Sequence, residues 1–300
     1  MHPLVVAMRP WTFPAALVPV LLTVTLVHRS GVAWSLPEMI RAILLGVIVQ
    51  AASNVINTYW DYENGVDGPN VGSGADPSVV LPHKVVLVGG GLKPRSVLAL
   101  ALVLYGSSLL VLLPRFSDGY RIPLLYLCGT SLSYFYTAPP FKLKYFALGD
   151  AAIFIAFGPL LVYCTILLVA PKSVDALWGE VFGYTIPCSF ICECILHANN
   201  SRDIGEDSKA GLVTLATILG FNGSKRVYVG LITAAYVTVI IMSVGQRRLG
   251  MMMVLLSLPL AFDVISRFTH DINRMADLPK RTAKLHMAFG LLLIVGVLIN

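Results

Sequence analysis

The chain has 300 residues, of which 56% are hydrophobic and only 13% charged, with a mean hydropathy of +0.77. A soluble domain of this length carries about a quarter charged residues, so the composition excludes an ordinary soluble fold and points to lipid. The net charge of +6 would suit nucleic acid, but its distribution along the chain follows membrane orientation instead.

The N-terminal Met8-Arg9-Pro10-Trp11 runs straight into apolar sequence. It reads as a span with an interfacial Trp, and no cleavable signal peptide is expected. A membrane helix needs about 20 mostly apolar residues. That yardstick predicts spans near 12–28, 38–57, 96–114, 121–139, 148–170, 178–198, 212–245, 249–268 and 283–299. The expected fold is all-α, a polytopic transmembrane bundle of about nine helices forming one domain over residues 1–300. The five cysteines fall inside predicted spans, so no disulfide framework is expected.

Two hydrophilic segments break the apolar pattern, Asn57–Arg95 and Asn199–Gly211. Four predicted spans separate them, so both emerge on one face. Each begins where a predicted helix ends, and the two read as degenerate copies of a weak internal repeat. With nine spans, 15 of the 22 basic residues fall on that same face, and the positive-inside rule makes it cytosolic.

The acidic residues concentrate there too. Seven of the sixteen lie in or beside these segments: Asp61, Glu63, Asp67, Asp76, Asp203, Glu206 and Asp207. Asp203 and Asp207 are four apart and share a helical face. Like charges so close repel unless a cation lies between them, and Mg2+ takes carboxylate oxygens while keeping sites for water and phosphate. A single Asp pair would read as solvated surface charge. Two matched clusters at helix ends on one face read as a site for a diphosphate. Such a site supports ionisation of an allylic diphosphate, with metal and nearby cations, Arg202 and Lys209 among them, stabilising the leaving group. The allylic cation then needs a dry apolar pocket, which a helical bundle supplies. A secondary transporter would instead place its acids near mid-membrane on broken helices.

These residues resemble a known family. Asn57…Asp61…Asp67 and Asn200…Asp203…Asp207 are similar to the two Asp-rich motifs of the UbiA superfamily of intramembrane prenyltransferases. Further matches are Arg9-Pro10-Trp11-Thr12, Tyr136-Thr137, Leu148-Gly149-Asp150, His197-Ala198-Asn199-Asn200-Ser201-Arg202-Asp203, Lys209-Ala210-Gly211, Thr214-Leu215-Ala216 and the tail Leu278-Pro279-Lys280-Arg281-Thr282-Ala283-Lys284-Leu285. The Asp61–Asp67 spacing is similar to the menaquinone branch, and the Glu193–Asn200 segment and tail resemble the animal members that make menaquinone-4 (vitamin K2).

The resemblance implies Mg2+ dependence and a cytosol-facing active site open sideways to lipid. It implies transfer of a polyprenyl group, geranylgeranyl for this branch, from its diphosphate to a naphthoquinol. Its implied metal ligands and catalytic residues are Asp61, Asp67, Asp203 and Asp207, with Lys144, rather than Lys142, on the diphosphate. Substrate contacts are implied for Asn57, Tyr136, Lys84, Asn199, Asn200, Arg202, Lys209, Glu193 and His197. Bacterial relatives carry an Arg before a Gly-Leu-x-x-Pro turn, where this chain has Lys84 ahead of Gly91-Leu92-Lys93-Pro94.

Other readings stand beside these. Asn57 and Asn200 suit helix C-caps as well as ligand contacts. Glu193 and His197 suit a polar pair bridging helices as well as acceptor binding. The family also prenylates homogentisate, hydroxybenzoate and haem, and a prenyl-diphosphate sensor without turnover is a further alternative. Animal members associate with the sterol-synthesising reductase and sit in endoplasmic reticulum or Golgi membranes; a bacterial member would occupy the plasma membrane.

Overall fold

The computed structural model describes residues 2–66, 87 and 92–299. Asp67, Lys84 and the Gly68–Asp76 stretch lie outside the described residues. Among the described residues the long helices are α1 (Pro14–Arg29), α2 (Leu36–Glu63), α3 (Pro94–Leu112), α4 (Arg121–Phe135), α5 (Gly149–Val169), α6 (Val174–Arg202), α7 (Leu215–Gly245), α8 (Leu249–Arg267) and α9 (Leu278–Leu298). Among the described residues seven helices are long and apolar enough to cross a membrane, and α1 makes an eighth when joined to its lead-in Pro3–Thr12 across a 43° bend. α4, at 15 residues, is the short one. The protein is an integral multi-pass membrane protein with an all-helical fold.

Local sequence explains where these helices begin and stop. Pro occupies the first turn of α1, α2, α3 and α9, where its missing N–H leaves no gap in the ladder. Ser35 caps α2 through the Glu38 amide, and Thr214 and Thr217 form a reciprocal capping box at the start of α7. α5 contains one π-helical turn, Ala156–Leu160, built around Pro159. α7 bends at Gly220, whose φ of 63° interrupts the helical backbone.

Two predicted boundaries shift in a way that matters for function. α2 runs to Glu63, not 57, so Asn57 and Asp61 sit on its last two turns and not on a loop. Likewise α6 runs to Arg202 and carries Asn199 and Asn200 inside the helix. Neither Asn57 nor Asn200 is therefore a C-cap; Asn64 and Asp203 hold those positions. Asn57 and Asp61 bond to groups from other elements, whereas Asn199 bonds Arg202 and Asp203 at the end of its own helix.

The main core gathers α1, α5, α6, α7, α8 and α9 around fully buried Tyr228, Phe268 and Phe289. A smaller cluster joins the N-terminal segment to α2 and α3 through Ala7, Val55, Ile56, Val97 and Ala101. α9 approaches its neighbours closely at two glycines. A Cβ on Gly290 would collide with Val18 of α1, and one on Gly296 with the Gly250 carbonyl at the start of α8. With lipid on the outside, such close backbone contact is what holds membrane helices together.

Candidate active site

The first acidic motif is built on one face of α2. Gln50, Asn54, Asn57 and Asp61 recur at helical spacing and all line one chamber. Asn54 donates to the Met8 carbonyl and to Thr12 Oγ1, both at 2.9 Å, which ties the N-terminal segment to α2. Asn57 Oδ1 accepts from Thr137 Oγ1 at 2.9 Å. α2 then closes in a Schellman turn. The Val66 amide donates to the Asp61 carbonyl and the Gly65 amide to Tyr62, with Gly65 at φ +74°.

The loop between α4 and α5 reaches across to that turn. Lys142 adopts a left-handed φ of 46°, which reverses the chain and starts a 3-10 turn over Leu143–Tyr145. Lys144 Nζ then lies 2.8 Å from Asp61 Oδ2, and Tyr145 OH donates to Asp61 Oδ1 at 2.8 Å. Lys142 Nζ donates instead to Asn64 Oδ1 at 2.7 Å. Thus Lys144, and not Lys142, faces the acidic motif.

The second motif ends α6. Arg202 grips Asp203 through two bonds of 2.7 Å and also donates to Asn199 Oδ1 at 2.8 Å. Asn200 is buried and its Oδ1 has no protein donor. Asp207 is buried on the short helix Ile204–Lys209. That helix closes in a second Schellman turn: the Leu212 amide donates to the Asp207 carbonyl and the Gly211 amide to Ser208. The two halves of the site are stitched by a short parallel bridge. Ala147 N–H donates to the Val213 carbonyl at 2.6 Å, and Val213 N–H to Tyr145 at 3.4 Å.

Between the motifs lies a chamber of about 330 Å³. Arg9, Lys144, Arg202 and Lys280 line it with Asn57, Asp61, Asn199, Asn200 and Tyr136. Lys280 sits over the Trp11 ring at 4.7 Å, so the start of α9 and the N-terminal segment meet at the rim. The chamber shares Gln50, Ser53, Tyr136, Ile153 and Phe157 with an apolar cleft of about 110 Å³ between α2, α4 and α5. One wall is therefore a cluster of cations and hard oxygen atoms, and the other is hydrocarbon.

The remaining candidates fall elsewhere. Lys209 is exposed and does not line the chamber. Glu193 and His197 are buried in α6 behind the chamber wall. Sequence reasoning did not assign Arg9, which lines the chamber, or Tyr145, which bonds Asp61. Arg9 lies inside a matched segment and Tyr145 stands near one, and the polar stripe of α2 inside an apolar span was the signal for the chamber face.

Residues 16–292 match the UbiA prenyltransferase family. The chain belongs to that family. It is a membrane prenyltransferase, and the chamber just described is its candidate active site. A UbiA prenyltransferase domain-containing protein 1 homolog from Drosophila melanogaster is 35% identical over 296 residues, covering 97% of this chain and 77% of that protein. Two solved structures have the same fold. A UbiA homolog from Aeropyrum pernix K1 superposes with a TM-score of 0.66 at 19% identity, covering 95% of this chain and 96% of that one. A UbiA homolog from Archaeoglobus fulgidus, bound to GPP and Mg2+, gives 0.62 at 17% identity, covering 97% and 99%.

Among the described residues no three His, Cys, Asp or Glu side chains converge as a ready-made metal site. The donors present nonetheless suit a hard cation. Asp61, Asp203 and Asp207 offer carboxylates, and Asn200 offers a buried amide oxygen without a donor, while hard ions take the rest of their shell from phosphate or water.

Proposed function

We propose that the enzyme transfers a geranylgeranyl-type polyprenyl group from its diphosphate to a naphthoquinol acceptor, with Mg2+, as a step in menaquinone (vitamin K2) formation. The observation that carries this reading is the polar chamber that opens into an apolar cleft, because an amphiphile with a diphosphate head and an isoprenoid tail matches both walls. The relatives' names and the GPP and Mg2+ of the Archaeoglobus structure support the donor and the metal.

Asp61, Asp67, Asp203 and Asp207, with Asn57 and Asn200, would hold Mg2+. The bound metal would neutralise negative charge on the leaving diphosphate. Lys144 and Arg202 bind the diphosphate head, and Arg9 and Lys280 add positive field at the chamber rim. Asn199 keeps Arg202 aimed. Lys84 and Lys209 serve the cytosolic approach of the anionic substrate. Ile153, Phe157 and the cleft keep water from the allylic carbon. Tyr136, with Glu193 and His197 behind it, faces the aromatic acceptor. The site opens to the cytosolic face of the endoplasmic reticulum or Golgi membrane, and the sterol-synthesising reductase is the candidate partner there.

The test uses purified full-length protein in liposomes with labelled geranylgeranyl diphosphate and a panel of aromatic acceptors, products being read by mass spectrometry. The naphthoquinol should be prenylated, and exhaustive chelation should abolish the product until Mg2+ is restored. Transfer only to homogentisate or hydroxybenzoate would replace the acceptor, and full turnover after chelation would remove the metal from the scheme.

A further inference from the structure

Arg9 lines the chamber from a backbone conformation that its sequence disfavours. Its φ of 50° and ψ of 59° are left-handed, and Pro10 follows it. A left-handed residue after a helix is ordinarily Gly or Asn, and the residue before a proline favours extended backbone. Strain of this kind persists only where the surroundings over-determine it, and it gathers at functional sites. What over-determines Arg9 is a set of polar bonds centred on Thr12.

Peptide planes are rigid, so φ and ψ of a residue are fixed once the planes on its two sides are fixed. Both planes beside Arg9 are held. In the plane before it, the Met8 carbonyl accepts from Asn54 Nδ2 at 2.9 Å and the Arg9 amide donates to the Val6 carbonyl at 3.1 Å. In the plane after it, the Arg9 carbonyl accepts from the Thr12 amide and from Thr12 Oγ1, each at 2.9 Å. The Thr12 hydroxyl in turn accepts from Asn54 Nδ2 at 2.9 Å and from Gln50 Nε2 at 3.1 Å. Its one donor and two lone pairs are therefore all engaged. The Arg9 side chain leaves this lock toward α2, where Nη2 lies 3.4 Å from Thr58 Oγ1. Thr58 is buried, donates to the Asn54 carbonyl at 3.0 Å and stands on the turn that leads to Asp61. An N-terminal segment that needed only an anchor on α2 would have it in the bond from Asn54 to Met8. The further bonds at Thr12 fix the direction in which one cation points.

We propose that Thr12 is a positioning residue: its hydroxyl, held by Gln50 and Asn54, locks the backbone of Arg9 and so aims the Arg9 guanidinium at the diphosphate of the prenyl donor. The assignment rests on the reading of the chamber as the diphosphate site. Arg9 touches phosphate in this scheme, whereas Thr12 touches only the Arg9 backbone and α2. A guanidinium presented at a fixed angle pairs two phosphate oxygens at once, and a planar fork loses that advantage when its stem swings. The strained backbone is thus the means by which a residue of the N-terminal segment keeps its cation over the end of α2 that carries Asp61.

The experiment uses the full-length protein in liposomes and reads inhibition of prenyl transfer by the two halves of the donor, pyrophosphate with Mg2+ for the head and geranylgeraniol for the tail. Thr12→Val keeps the side-chain volume and removes the hydroxyl. It should weaken inhibition by pyrophosphate ~10-fold, the worth of one charge-assisted contact, and leave inhibition by geranylgeraniol within ~2-fold. Thr12→Ser, which restores the hydroxyl, should recover most of the loss. Arg9→Gln should weaken pyrophosphate at least as much as Thr12→Val does. Adding Thr12→Val to Arg9→Gln should then cost nothing more, since a residue that acts through Arg9 has nothing left to act on. Equal weakening of both inhibitors, or full additivity with Arg9→Gln, would overturn the proposal and leave Thr12 as a structural anchor. Should Thr12→Val fail to insert, Gln50→Met, which removes one donor to the Thr12 oxygen, decides through the same coupling: pyrophosphate inhibition should weaken ~3-fold beside Arg9 and stay unchanged beside Arg9→Gln. Pyrophosphate that does not compete with the prenyl donor in wild type would overturn the diphosphate reading of the chamber itself, a result distinct from additivity.

Discussion

Asp61 and Asp207 hold the same place in two helix ends. Each offers its carbonyl to an amide five residues on, with a left-handed Gly one residue before that amide. The chain builds its two acidic motifs on one turn, but it wires them differently. Asp61 is held from a distance, by Lys144 and Tyr145 of a loop more than eighty residues away. Asp203 is held by its own neighbour Arg202, which Asn199 steadies from the same helix. The first motif is thus set only once α4 and α5 have packed, whereas the second is set as soon as α6 forms. The bridge at Phe146 and Val213 joins the two motifs through the backbone.

The largest effects should come from the carboxylates themselves. Asp61→Asn and Asp203→Asn should each lower turnover by at least ~10²-fold, because each removes charge from the metal-binding face. Both proteins should still insert, as judged by gel-filtration profile. A near-normal rate for either would take that residue out of the metal site. Asp61→Asn should be the more severe, since it also strands Lys144 beside a neutral amide.

Next come the cations. Lys144→Ala should lower kcat/KM for the prenyl diphosphate by ~10- to 10²-fold and leave the acceptor KM alone, because a point charge suits phosphate. Lys142→Ala should stay within ~3-fold, as its bond to Asn64 and its place over the Tyr145 ring are partly exposed contacts that do not touch a candidate metal ligand. The reverse ranking would mean that the loop rearranges when substrate binds. Arg202→Lys should fall between them, near ~10-fold, since a lysine cannot reproduce the two-pronged grip on Asp203.

The smallest effect separates the two wiring schemes. Tyr145→Phe removes one of the two bonds on Asp61 and none on Asp203, so a loss of about 5-fold in turnover is expected, the worth of one hydrogen bond to a charged group. Its Mg2+ dependence should shift to higher concentration. An unchanged Mg2+ titration would show that Lys144 alone sets the carboxylate.

Much of this arrangement is readable in the chain because lipid simplifies the code. Apolar runs give the spans, and the clustering of cations and acids gives one working face. In the folded loop Lys144 contacts Asp61 and Lys142 contacts Asn64. What escapes sequence reasoning are contacts made by chain reversal. Tyr145 reaches Asp61 only because Lys142 turns left-handed, and nothing in the local composition announces that. Asp150 was visible inside a matched motif, but its approach to His197 depends on how α5 packs on α6. The helical stretch at Asn57–Glu63 was read as loop because its residues are polar, whereas Asn57, Thr58 and Asp61 find partners in the N-terminal segment and the α4–α5 loop.

The continuity of the charged chamber with the cleft between α2, α4 and α5 has a kinetic consequence. An amphiphile that fits both walls never has to leave its leaflet to reach the site, so its effective concentration is two-dimensional. At fixed amounts of enzyme and prenyl diphosphate, adding inert phospholipid should slow the reaction by surface dilution, while adding buffer should leave it unchanged. The bilayer then acts as the solvent of the reaction, and its crowding with isoprenoid sets the throughput of the enzyme.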